Sequence, residues 1–197
     1  MAKKQGKQAS QVFRNGSGKI ADYEYAVLRS EYCGRRNSTV QYAAAKLGVI
    51  DPAAANWQIQ RSYDVVIPFG TSDDFADPRA LWAAYESARL PQQRDLALAL
   101  TLWTPDLKTM HDRLEAARSW AYAAFVRRRR LPAMVVAHNP LAAGVRHDPH
   151  VHVMVAAREL GSLGFGAFSD LCRDEPLKAL HADWSAHLRA WGREDHS

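Results

Sequence analysis

The chain has 197 residues, 47% hydrophobic and 24% charged, with a formal net charge of +5. That length and balance suit one soluble domain around a single core, and they exclude a disordered or fibrous chain. No apolar run is long enough to span a membrane, and Cys33 and Cys172 are too few for a disulfide framework, so a cytoplasmic protein is expected.

Residues 1–20 hold Lys3, Lys4, Lys7, Arg14 and Lys19 and no acid, and no apolar segment of a secretory signal follows them. They read as a flexible basic arm, with the domain proper at 21–197. Such arms reach for nucleic-acid phosphates or serve as solubilising tails. "DYEYAVLRSEY" (22–32) has the alternation and aromatic content of a strand. A turn carrying Arg35 and Arg36 follows, then an Asn or Ser cap and the Ala-rich helix of "STVQYAAAKLG", ending at Gly48. Residues 49–76 read mostly as loop, broken by Pro52 and Pro68. Asp77 then caps the helix "PRALWAAYESAR", with Pro78 in its first turn. Leu96, Leu98, Leu100 and Leu102 alternate with small residues, as in a strand. A long amphipathic helix is expected from a cap at Thr104 to the run Arg127, Arg128, Arg129, Arg130. That run suits either a phosphate-binding patch or a solvated helix end favoured by the helix dipole. Two strands, 132–138 and 149–157, and a last helix over 175–192 complete the chain. The order β-α-α-β-α-β-β-α predicts an α/β (α+β) fold, a single domain on a largely antiparallel sheet.

The chemistry concentrates in "HDPHVHVMVAAREL" (147–160), which holds three of the eight histidines. In a strand, residues i and i+2 share a face, so His150 and His152 stand side by side. Such a pair is often only a polar edge. Here His138 ends the preceding strand, and antiparallel pairing would bring it to the other two as an open three-imidazole site. His147 is the alternative third ligand, but Pro149 intervenes.

These residues support a resemblance. "PAMVVAH…HDPHVHVMVAARELGSLGFG" resembles the metal-binding motif of MobA/MobL-type plasmid mobilisation relaxases, members of the HUH endonucleases. "DPRALWAAYESA" and "LALALTLWTPDL" are similar to further segments of that family, so the likeness runs in order over about residues 23–168. It implies strand-specific DNA nicking at a plasmid transfer origin through a covalent 5′-phosphotyrosyl link. The cofactor would be a divalent metal, Mn²⁺ or Mg²⁺ with Zn²⁺ as alternative, on His138, His150 and His152. It also implies single-stranded DNA and accessory transfer proteins as partners, with Arg158 and the basic residues above as DNA contacts. The chain departs from the pattern at one position: Ala45 stands where the family carries its nucleophilic tyrosine. Tyr42, one helical turn earlier, becomes the candidate nucleophile, or else an ordinary packing aromatic. Glu86 matches the family's helix acid and is expected to orient a histidine, or else to face solvent. Two other functions stay open: a relaxase-derived DNA-binding module without the nucleophile, and a rolling-circle replication initiator. The "LW" helix and the "GFG" tail favour the transfer family over the last.

Overall fold

In the computed structural model, described over residues 18–20, 22–140, 144, 147–172 and 174–194, period-two alternation builds one central sheet. In chain order the elements are β1 (Gly18–Ile20), β2 (Tyr23–Arg29), β3 (Glu31–Tyr32), β4 (Arg35–Arg36), α1 (Thr39–Leu47), β5 (Tyr63–Val66), α2 (Pro78–Ser87), β6 (Asp95–Trp103), α3 (Met110–Ala121), β7 (Ala133–His138), β8 (His150–Ala156), β9 (Arg158–Gly161), β10 (Gly164–Phe168) and α4 (Asp174–Glu194). Six strands form a sheet in the order β1-β2-β6-β8-β7-β5, with every neighbouring pair antiparallel. The fold is α+β, as the sequence indicates.

The two faces of the sheet carry different cores. Val151, Val153 and Val155 of β8 join Leu98, Leu100 and Leu102 of β6 beneath α3 and α4, where Trp120, Phe125 and Trp184 are buried. On the opposite face, Met154 and Ala156 join Ala97, Ala99, Met134 and Val136 beneath α1 and α2, which contribute Tyr42, Ala43, Leu47, Leu81 and Trp82. His150 and His152 share this second face, because they alternate in step with Met154.

Four departures from the sequence-based expectation have local causes. The sheet takes in Gly18–Ile20, three residues of the expected basic arm; Lys3, Lys4, Lys7 and Arg14 lie outside the described residues. The stretch 49–76 is not all loop, since β5 pairs with β7 through Tyr63↔Val136. Four residues of strand leave too little alternation to stand out between prolines. The long helix begins at Met110, not at Thr104: Thr109 is the cap, its hydroxyl accepting from Asp112 N at 3.0 Å, while Thr104 is buried in the preceding turn. Two hairpins, β3–β4 and β9–β10, add strands that the sequence pattern does not reveal. The first turns through Cys33 and Gly34, both at positive φ, as a tight two-residue hairpin loop requires.

Helix α1 brings side chains to the histidines. Ser38 caps it, and Gly48 ends it in the left-handed conformation (φ 73°), where an L side chain would also crowd Gln60. It runs across the second face, so its last turn arrives at the histidine end of the sheet.

Candidate metal centre

Strand register brings His138 and His150 directly opposite each other, and His152 follows two residues along β8 on the same face. The side chains converge: His138 Nδ1 lies 3.1 Å from His150 Nε2, which lies 3.2 Å from His152 Nε2. The three rings stand with centroids 4.7–5.7 Å apart.

Hydrogen bonding at the far side of each ring determines what the inner nitrogens carry. His150 Nδ1 is 2.8 Å from the Asp148 carbonyl, which can only accept, so Nδ1 bears the proton and Nε2 keeps a bare lone pair. His152 Nε2 is 3.4 Å from the Lys46 ammonium, which can only donate, so it too presents a lone pair. The proton of His152 then sits on Nδ1 and is donated to Thr101 Oγ1 at 3.2 Å. Two lone pairs therefore face each other across 3.2 Å with no hydrogen between them. A cation removes that conflict. Nitrogens bound to one ion at about 2.1 Å stand roughly 2.9–3.4 Å apart, so the spacing fits.

The surroundings keep the imidazoles neutral. Burial lowers the pKa of His138 to about 4, with Arg61 the next cause. Burial likewise lowers His150, and burial with the Lys46 charge holds His152 well below its ordinary range. Neutral imidazole is the form that binds metal. Among the described residues these three could hold a metal ion together; His147 is exposed and stands outside the group.

Among the described residues, two cations border the centre. Lys46, in the last turn of α1, reaches His152 and lies 5.4 Å from the centre of the Tyr42 ring. Burial lowers its pKa to about 8, helped by Arg61 and opposed by Glu24. Arg61 precedes β5 and donates from Nη1 to the Lys46 carbonyl at 2.5 Å, closing the end of α1. The sequence pattern does not single it out, because its position depends on β5 pairing alongside β7. Thr101 and Glu24, register partners on β6 and β2, escape notice for the same reason.

The other expected site residues that the structure describes lie outside the three-histidine group. Tyr42 is 7% exposed and packs in the second core, lining one small pocket with His152, Met134 and Val136. Burial raises its phenol well above the ordinary range, and the Glu24 carboxylate adds to this. Lys46 reaches the His152 ring nitrogen, Tyr42 lines the pocket beside that ring, and Ala45 is exposed. Glu86 touches no histidine. Its Oε2 accepts from Ser38 Oγ (2.7 Å), Thr39 Oγ1 (3.0 Å) and Val40 N (3.1 Å), so it anchors the start of α1.

Arg158 is likewise engaged within the fold. It is buried and donates to the carbonyls of Gly166 (2.9 Å), Ala88 (2.6 Å) and Phe165 (2.7 Å). The run Arg127–Arg130 lies before β7 begins, whereas His138 ends it, about 17 Å away at strand rise. Within that run Arg128 pairs with Asp183, Arg129 donates to the Ala124 carbonyl and Arg130 to those of Phe69 and Leu160. Arg35 and Arg36 are exposed on the β3–β4 hairpin, beyond the end of β2 that is remote from the centre. Of the other tyrosines of the first strand, Tyr23 and Tyr25 face the opposite core, and Tyr32 sits on that remote hairpin.

No protein-family model matches the chain. No curated protein matches it. Among solved structures, it is similar to the one described as "Molecular Basis of Vancomycin Resistance Transfer in Staphylococcus aureus", at 13% identity and a TM-score of 0.69 over 88% of this chain and 92% of that one. At that identity the likeness is one of fold. It extends over nearly the whole of both chains, and it agrees with the resemblance carried by the histidine strand.

Proposed function

We propose that this chain is a relaxase-type enzyme that nicks one DNA strand at a plasmid transfer origin with the help of a divalent metal. One observation carries the reading. Ring nitrogens of three neutral histidines meet 3.1–3.2 Å apart, two of them with lone pairs turned inward, beside two cations, on a fold shared with a resistance-transfer protein. His138, His150 and His152 would hold Mn²⁺ or Mg²⁺, with Zn²⁺ as the alternative. When bound, the metal supplies Lewis-acid polarisation of a phosphate oxygen and offsets the charge that builds during displacement.

The chain's own groups do the remainder. Asp148 and Thr101 fix the tautomers of His150 and His152, so that each presents a lone pair. Lys46 and Arg61 attract the DNA phosphate. Tyr42 is the nucleophile in this reading. Its Oη forms a bond to phosphorus, the bond from phosphorus to the 3′ oxygen breaks, and that oxygen departs as a hydroxyl with the phenol's proton. A 5′-phosphotyrosyl link remains on the protein. Because Tyr42 is buried, α1 must move to expose it.

That burial, with Ala45 exposed at the family's nucleophile position, favours a second reading: a single-stranded DNA-binding module that keeps the metal and lacks strand transfer. Incubation with single-stranded oligonucleotides that include its own origin, plus Mn²⁺, separates the two on a denaturing gel. A covalent adduct lost in Tyr42→Phe supports nicking by Tyr42. No adduct from the wild type leaves the binding module, and an adduct that survives Tyr42→Phe places the nucleophile elsewhere.

A further inference from the structure

Lys46 occupies ground that the bound metal and the DNA phosphate would both contest. Its ammonium points into the histidine group, 3.4 Å from His152 Nε2, and Arg61 holds the Lys46 carbonyl from behind. The main-chain position is therefore held, and the rotatable bonds of the four-carbon stem are what can swing the ammonium once a phosphate draws it. An ion ligated by His152 would stand within about 5.5 Å of Nζ, the sum of that separation and a metal–nitrogen bond. Two positive charges against one at that range repel. Even at the dielectric constant of water, the repulsion lowers metal affinity on the order of tenfold.

A phosphodiester changes the balance. Its negative charge gives the ammonium a partner outside the histidine group, and a lysine binds phosphate as a mobile point charge. We infer that Lys46 is a coupling residue: it opposes the metal when the site is free of DNA, and turns to the phosphate when a strand binds, so that metal and DNA strengthen each other. The sequence places the lysine where this works, four residues after Tyr42, so that both side chains leave the same face of α1. This deepens the relaxase reading and rests on the metal and DNA binding it contains, but not on strand cleavage.

The test is calorimetric titration of the full chain with MnCl₂, with and without the oligonucleotide (dT)₁₀, which offers phosphates and no origin sequence. (dT)₁₀ should raise the Mn²⁺ affinity of the wild type about tenfold or more. Lys46→Leu, which cannot ligate, should bind Mn²⁺ alone about tenfold more tightly than the wild type and respond less to (dT)₁₀. Lys46→Arg, which keeps the charge, should restore the wild-type response. Linkage adds a check that needs no variant: Mn²⁺ must raise wild-type affinity for (dT)₁₀ by the same factor. The inference is overturned if Lys46→Leu binds Mn²⁺ equally or more weakly, if (dT)₁₀ acts by the same factor in both proteins, or if the wild type shows no coupling. A chain that forms no covalent adduct can still pass every one of these, so failure of nicking and failure of coupling are told apart.

Discussion

Replacing Thr101 by valine tests the centre at its least conspicuous contact. The change conserves volume and removes the hydroxyl that His152 Nδ1 faces at 3.2 Å. The proton of His152 is then left without an acceptor in a buried place, which costs roughly 1–3 kcal/mol. The ring can escape by moving its proton to Nε2, the nitrogen that faces His150 at 3.2 Å. Either way the lone pair is harder to offer to a metal. Losses of this outer kind lower metal affinity about 10–100-fold, or about 1.4–2.7 kcal/mol. Calorimetry with Mn²⁺ at pH 7.5 should show that drop for Thr101→Val and near-wild-type affinity for Thr101→Ser. An unchanged affinity in the valine variant would refute the reasoning, because His152 would then either not bind the metal or not depend on Thr101 for its tautomer.

Three further outcomes are expected. His150→Ala should remove most Mn²⁺ binding while His147→Ala leaves it nearly intact; the reverse order would move the third ligand to His147. Arg158→Met strands three carbonyls and should cost about 3–5 kcal/mol in urea unfolding, with no change in the salt dependence of DNA binding by the folded protein. A stability loss under about 1 kcal/mol would refute this structural role for Arg158. Stability should also fall with acid in a defined window. The three histidines titrate lower when folded (His138 about 4) than the ordinary 6.5, so the unfolded chain takes up protons first. The histidines' contribution is fully present above about pH 6.5 and is lost as pH falls from there towards 4. Equal urea midpoints for wild type and a His138→Asn variant across pH 7.5, 6 and 5 would contradict this.

The sequence by itself determined the elements whose signal is local and repeated. Alternation marked the strands around His138 and His150–His152, spacing put those two histidines on one face, and Ser38, Gly48 and Asp77 bounded two helices. The triad was legible because i, i+2 geometry and one antiparallel neighbour suffice to assemble it. What each charged side chain does was decided by tertiary structure alone. Arg158, Glu86 and Arg127–Arg130 have the composition of DNA or histidine partners, yet carbonyls of Ala88 and Gly166 occupy the first, the start of α1 the second, and the far end of β7 holds the third. Conversely, Arg61 and Lys46 become the cations of the centre through β5, a strand too short to read, and through the direction of α1 across the sheet. A long charged side chain goes wherever an unsatisfied backbone group or opposite charge lies within its reach. That partner belongs to a distant part of the sequence, so no local pattern names it.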